Sequence, residues 1–272
     1  MMPEPCCGVQ ARPRMLARMS RPTALVTGPT SGIGLAFAHQ LAAAGHDLVL
    51  VARSADRLEK LAADLSERYG ASAEVIVADL GDRSALAAVE ARLADPDRPV
   101  DLLVNNAGLG LKEKFLDNDV EAEQYLLDVL VTAVLRLTHA ALGPMVARGS
   151  GAVVNVSSVA GYLPRGTYSA AKAYVTSLSG WADLTYRDRG VRVMALLPGF
   201  TRTEFHGRME VSTDSAPSWM WLDVDRLVAD ALHDLEAGKR ISIPSKRYKV
   251  LAALARYTPP GVQARFQGLG RK

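Results

Sequence analysis

The stretch "TALVTGPTSGIGLAFAHQL", residues 23–41, decides the fold. Its first five residues are apolar or β-branched and read as a short buried strand. Gly28, Gly32 and Gly34 then fall within seven residues, and beyond Gly32 the apolar residues take a helical spacing. A strand that turns through glycines straight into a helix opens a parallel βα unit.

The same alternation continues outward. "DLVLVAR" (47–53), "AEVIVAD" (73–79), "VDLLVN" (100–105), "AVVNVSS" (152–158), "VRVMALL" (191–197) and "RISIP" (240–244) read as further strands. They are nearly all apolar rather than alternating, as parallel strands buried on both faces should be. Helical stretches lie near 32–45, 54–70, 82–94, 119–148, 167–189 and 223–238. The pattern predicts an α/β fold: a Rossmann-type doubly wound parallel sheet of about seven strands, with helices on both faces. No linker or repeat interrupts it, so residues 23–245 read as a single domain.

Bulk properties agree. The chain has 272 residues, 49% hydrophobic and 22% charged, ample for one core. No apolar run reaches the roughly eighteen residues of a membrane helix, which predicts a soluble protein. The two cysteines, Cys6 and Cys7, exclude a disulfide framework and a cysteine metal site, and fit a cytoplasmic location. Nine Lys or Arg and no acid fall in 239–272, while the body 23–238 carries a net charge of −9. An acidic body argues against a nucleic-acid groove across the fold. Residues 1–22 are Arg-rich without an apolar signal core and read as a disordered extension. The segment 204–222, "EFHGRMEVSTDSAPSWMWL", fits neither period and reads as a substrate lid at the carboxyl edge of the sheet. Residues 246–272 read as a basic helix and tail.

Glycines let a backbone approach a pyrophosphate, and the helix N-terminus offers free N–H groups to it. Gly28, Thr30, Ser31, Gly32, Ile33 and Gly34 are therefore expected to line a dinucleotide. At the end of the second strand an acid would bond a ribose 2′-hydroxyl. This chain instead has Arg53 and Ser54, which suit a 2′-phosphate and predict NADP(H).

From "NNAG" (105–108) onward the sequence resembles the short-chain dehydrogenase/reductase family. The order is "TGPTSGIG", "AD" at 78–79, "NNAG", "NVSS", "YSAAK" and "PGFTRT" at 198–203. The resemblance covers roughly 23–240 and points to the compact branch of 3-oxoacyl reductases and hydroxysteroid dehydrogenases. It implies that Tyr168 is the general acid and base, and that Ser158 bonds the substrate carbonyl. Lys172 would hold the nicotinamide ribose and lower the tyrosine's pKa. Asp79 would contact the adenine, and Asn106 and Gly108 would lie along the adenosine and ribose. Phe200, through its backbone, and Thr203 would hold the carboxamide.

The chemistry supports these roles independently. Hydride addition to a ketone builds negative charge on oxygen, which needs a nearby proton. Tyr168 and Lys172 stand four apart and share one helical face. An ammonium there favours phenolate, as the reverse oxidation requires.

Two features depart from the family. The Ser158-to-Tyr168 interval is ten residues, a few shorter than usual. In "LDVLVTAVLRLTHAAL", Leu130 stands where an Asn would complete a catalytic tetrad through a water, and leucine bonds no water. Ser157 and Ser158 face opposite sides of a strand, so at most one serves the site; Ser157 reads as a strand-end hydroxyl bonded to backbone.

The function expected is NADP(H)-dependent reduction of a ketone, with a hydrophobic 3-oxoacyl or lipid-like small molecule suggested by Met209 and by the apolar residues at 219–222. The alternative is an NADP(H)-binding sensor or scaffold without chemistry. The basic C-terminal helix could instead rest on an anionic membrane surface, although a helix at a subunit interface is the simpler reading. Resemblance further suggests a homodimer or homotetramer joined through long helices.

Overall fold

The computed structural model describes residues 21–202 and 217–257. Its seven strands are β1 (Thr23–Thr27), β2 (Asp47–Ala52), β3 (Ala73–Val77), β4 (Leu102–Asn105), β5 (Gly151–Val156), β6 (Val191–Leu196) and β7 (Ile241–Ser242). They form one sheet in the order β3-β2-β1-β4-β5-β6-β7, every pair parallel. This is the doubly wound α/β architecture expected. The order reverses between β1 and β4, where Ala24 pairs with Leu102. At such a switch point the loops leaving two neighbouring strands diverge to opposite faces, and a crevice opens at the carboxyl edge.

The apolar runs are buried on both faces at the centre of the sheet, where Leu25, Val104 and Val154 have no exposed surface. Edge strand β3 differs. It is only partly buried, and Val77 is 54% exposed, because among the described residues nothing pairs beyond it.

Helices α1 (Gly32–Ala43), α2 (Ala55–Tyr69), α3 (Arg83–Ala94), α4 (Val120–Leu127), α5 (Ala133–Arg148), α6 (Thr167–Tyr186), α7 (Val224–Glu236) and α8 (Lys246–Tyr257) complete the layers. One core lies under α1, α2 and α7, and the other under α3, α5 and α6. The sequence suggested a single helix over 119–148. A π-helical turn, Asp128–Thr132, divides it into α4 and α5. Taken whole, Val120–Arg148 is long and apolar enough to cross a membrane, contrary to expectation, but half of its apolar window is buried inside the fold. It serves here as a core helix.

The N-terminal end of the fold also differs from expectation. Arg21, counted with the N-terminal extension, belongs to the body. Its guanidinium donates to the carbonyls of Ala42, Gly45, Tyr69 and Gly70, fastening the entry of β1 to the ends of α1 and α2. The C-terminal segment begins with the helix expected, α8, whose Tyr248 and Ala252 are buried against the body.

Candidate active site

The crevice between β1 and β4 is shaped first by glycine. Gly28 (φ 64°) and Gly32 (φ 56°) take left-handed backbone that residues with a Cβ seldom adopt. A Cβ on Gly34 would lie 2.2 Å from the Gly28 carbonyl oxygen and 2.3 Å from Asn106 Nδ2. The first turn of α1 is thereby pressed against the loop, and its N-terminus faces the crevice with Ser31 as N-cap. Asn106 clamps the loop from β4: Nδ2 donates to the carbonyls of Thr27 (2.9 Å) and Gly28 (3.1 Å). Thr27 Oγ1 in turn accepts the backbone N–H groups of Asn106 and Ala107, each at 2.9 Å. The sequence placed Asn106 along the cofactor; the structure also makes it a brace of the glycine loop. Glycine backbone at the start of a helix, with the N-terminus of α1 at the crevice, fits the pyrophosphate of a dinucleotide.

Arg53 and Ser54 follow β2 at the same edge, both exposed, with Ser54 as N-cap of α2. Arg53 Nη1 donates to the Tyr125 hydroxyl at 3.2 Å, and that hydroxyl donates to the Asp79 carboxylate at 2.8 and 3.0 Å. Arg57, one turn into α2, donates to the Thr30 carbonyl at 2.8 Å. Two cations thus flank the mouth of the glycine loop.

Across the crevice, Tyr168 and Lys172 sit on the first turns of α6. Lys172 is buried and its ammonium donates to the Val156 carbonyl at 2.7 Å, lying 5.7 Å from the centre of the Tyr168 ring. Burial pushes the Lys172 pKa down to about 8. It pushes Tyr168 up to about 12, against the opposing pull of a side-chain hydrogen bond with Ser158. The lowering by Lys172 that the resemblance implied therefore does not hold here: the ammonium donates to Val156 instead, 5.7 Å from the ring centre. Ser158 therefore does reach Tyr168 across the shortened loop. It caps a 3₁₀ turn, Val159–Tyr162, by accepting the Ala160 N–H at 3.1 Å. A Cβ on Gly161 would lie 2.9 Å from the Ala173 backbone nitrogen, so this turn lies directly on α6 beside Lys172. Close backbone packing takes up the missing residues.

Ser157 points the other way. It is buried, donates to the Lys172 carbonyl at 2.6 Å and pairs with Thr176 Oγ1 at 2.8 Å, a structural hydroxyl as its strand position suggested.

Leu130 lies in the π-helical turn, where it packs with Leu126 and Ala171 in a cluster that Tyr168 borders. A Cβ on Gly108 would lie 3.3 Å from Leu130 Cδ2, so Gly108 fits closely under this side chain. Leucine here removes polarity from the surroundings of the phenol. Among the described residues no cluster of three metal-binding side chains occurs.

Known proteins resemble this chain in sequence and fold. Residues 22–213 fit the family model for short chain dehydrogenases. The chain belongs to the short-chain dehydrogenase family. Its members are oxidoreductases that use nicotinamide dinucleotides. A very-long-chain 3-oxoacyl-CoA reductase of Anas platyrhynchos is 33% identical over 189 residues, 66% of this chain and 60% of the duck protein, so that relative extends well beyond the match. A solved short-chain dehydrogenase of Sphingobium yanoikuyae, in complex with NADPH, is 37% identical with a TM-score of 0.80, covering 89% of this chain and 95% of that one. A bulky-bulky ketone specific alcohol dehydrogenase of Comamonas testosteroni is 34% identical with a TM-score of 0.75, covering 89% and 94%.

One short-chain dehydrogenase assignment meets competition here. The Phe200 backbone N–H, expected to hold a carboxamide, donates to the Tyr248 hydroxyl at 2.9 Å, and its carbonyl accepts the Leu222 N–H at 2.8 Å. A carboxamide would have to share or displace these bonds. Thr203 and most of the expected lid, residues 204–216, lie outside the described residues. Both stems of that segment are fastened together. Thr201 bridges Leu222, the Phe200 and Trp221 rings meet at 5.6 Å, and Tyr248 donates to the Met220 carbonyl at 2.8 Å.

Sequence reading missed Tyr125, Arg57 and Tyr248. Arg57 carried a usable signal, since it falls one turn after Arg53 on the same edge. Tyr125 and Tyr248 carried none, because each reaches the site from a helix remote in sequence.

Proposed function

We propose that this oxidoreductase reduces the carbonyl of a bulky hydrophobic substrate, a ketone of 3-oxoacyl or lipid-like type, with NADPH as the preferred reductant. The observation that carries the reading is the Ser158–Tyr168–Lys172 group at the carboxyl edge, in which Lys172 is buried, Ser158 and Tyr168 are half-buried, and Ser158 bonds the phenol. Gly28 to Gly34 would hold the pyrophosphate, Asp79 the adenine and Lys172 the nicotinamide ribose. Arg53 and Ser54 would take a 2′-phosphate, with Arg57 adding positive charge nearby. When bound, the reduced dinucleotide supplies the hydride.

The side chains supply everything else. Ser158 donates a hydrogen bond to the substrate oxygen and holds it beside the phenol. With its pKa near 12, Tyr168 keeps its proton at any working pH and donates it to that oxygen as negative charge develops. The phenolate left behind is stabilised by the Lys172 ammonium, buried close to the same ring. Phe200 and Trp221, whose rings meet, would present an apolar wall to the substrate, and Leu130 makes the surroundings of the phenol apolar. The reductase and ketone dehydrogenase named above support a carbonyl substrate. The NADPH complex supports the cofactor. Trp181 and Leu184, exposed on α6, support assembly with a second copy across that helix.

Oxidation of NADPH and of NADH against 3-oxoacyl thioesters, steroid ketones, bulky aryl ketones and simple aldehydes tests this directly. The reading expects turnover of bulky ketones with NADPH favoured. Binding of dinucleotide without turnover anywhere in the panel would contradict it.

A further inference from the structure

Between Arg53 and Asp79 stands a residue that no sequence motif marks. Tyr125 projects from α4, near the edge where β2 and β3 end. Its hydroxyl has one hydrogen, and the partners decide where it goes. An ionised carboxylate can only accept and a guanidinium can only donate. The proton therefore points at Asp79 (2.8 and 3.0 Å), and a lone pair receives Arg53 Nη1 (3.2 Å).

Room for the ring is made by Gly81, where a Cβ would lie 2.3 Å from Tyr125 Cε2. Gly81 also fixes the acceptor, because its N–H donates to Asp79 Oδ1 at 2.9 Å. Burial and the Asp79 hydrogen bond together raise the Tyr125 pKa, so the hydroxyl stays protonated.

We propose that Tyr125 is a specificity-positioning residue for the cofactor: its hydroxyl holds the Arg53 guanidinium at the adenosine end, ready for a ribose 2′-phosphate. Arg53 is exposed on a long side chain, and fixing such a chain costs conformational entropy at the moment of binding. A guanidinium already tethered loses less. Asp79 helps from behind, since its charge polarises the phenol and strengthens the oxygen as an acceptor.

The inference rests on the NADP(H) reading, and the test separates the two. Calorimetric titration with adenosine 2′,5′-bisphosphate and with AMP isolates the adenosine end from catalysis. Wild type, Tyr125→Phe, Gly81→Ala and Arg53→Ala are compared. The proposal expects wild type to prefer the bisphosphate. It expects Tyr125→Phe to weaken that ligand about five- to tenfold, the worth of one ordinary net hydrogen bond, while AMP changes by less than about twofold. Gly81→Ala should act in the same direction by displacing the ring. If Arg53→Ala abolishes the preference but Tyr125→Phe keeps the wild-type ratio, the role of Tyr125 is overturned and the NADP(H) reading stands. Equal weakening of both ligands by Tyr125→Phe overturns it too, as a merely structural role. A wild-type ratio near one overturns both.

Discussion

Ser158 and Tyr168, ten residues apart in sequence, share a side-chain hydrogen bond across a turn that lies on α6. The bond places a hydroxyl donor and a protonated phenol at one point, as a developing alkoxide requires. Removal of a single donor of this kind costs roughly a hundred- to a thousandfold in kcat. Ser158→Ala should fall in that range in steady-state reduction of a bulky ketone, with the Kd for NADPH unchanged. Activity close to wild type would separate the serine from the chemistry.

Gly161 is what allows the short connection. A Cβ there meets the Ala173 nitrogen at 2.9 Å and the Lys172 carbonyl carbon at 3.0 Å, both of them backbone atoms that cannot swing aside. Gly161→Ala should lift the turn from α6 and part Ser158 from Tyr168, reducing kcat at least tenfold. Overpacking of this kind typically costs about 1–3 kcal/mol, so thermal denaturation should report a lower Tm as well.

Lys172 sets an alkaline limit on reduction. Its folded pKa, about 8, lies below the ordinary 10.5. The kcat/KM for NADPH should therefore decline as pH rises through about 8, while Tyr168 remains protonated to about 12. Stability runs the opposite way. The unfolded state holds the lysine proton between about 8 and 10.5 and the folded state does not. This group's penalty is thus full below about 8 and fades toward 10.5. A pH–rate profile of Lys172→Arg, whose charge persists, should be slower but flat through pH 9. A retained fall near 8 would assign the limit to another group.

Gly34→Ala should abolish dinucleotide binding, because its Cβ would lie 2.2 Å from the Gly28 carbonyl oxygen and 2.3 Å from Asn106 Nδ2. The loop must then shift as a unit. Calorimetry with NADPH should detect no binding in a protein that keeps its far-ultraviolet dichroism. Binding within tenfold of wild type would show that the loop tolerates the displacement.

The sheet was legible in the sequence because buried parallel strands are written as apolar runs, and because glycines mark the first turn. That Tyr168 and Lys172 share a helical face was legible from their spacing, but that they form a site was legible only beside the glycine loop and the other motifs. What escaped reading was set by tertiary packing. The π-helical turn at Asp128–Thr132 leaves no sequence period behind, and Leu130 stood out only as a departure from a motif. The burial of Tyr248 depends on where α8 docks, which local sequence does not encode. The hydrogen bonds of Arg53 depend on Tyr125, seventy-two residues away.

The central claim is that Tyr168 gives its proton to a substrate carbonyl. Single-turnover and steady-state reduction of a bulky ketone by Tyr168→Phe, alongside calorimetric NADPH binding, tests it most directly. The account predicts loss of turnover by at least about a thousandfold with NADPH affinity intact. Turnover near the wild-type rate would contradict it.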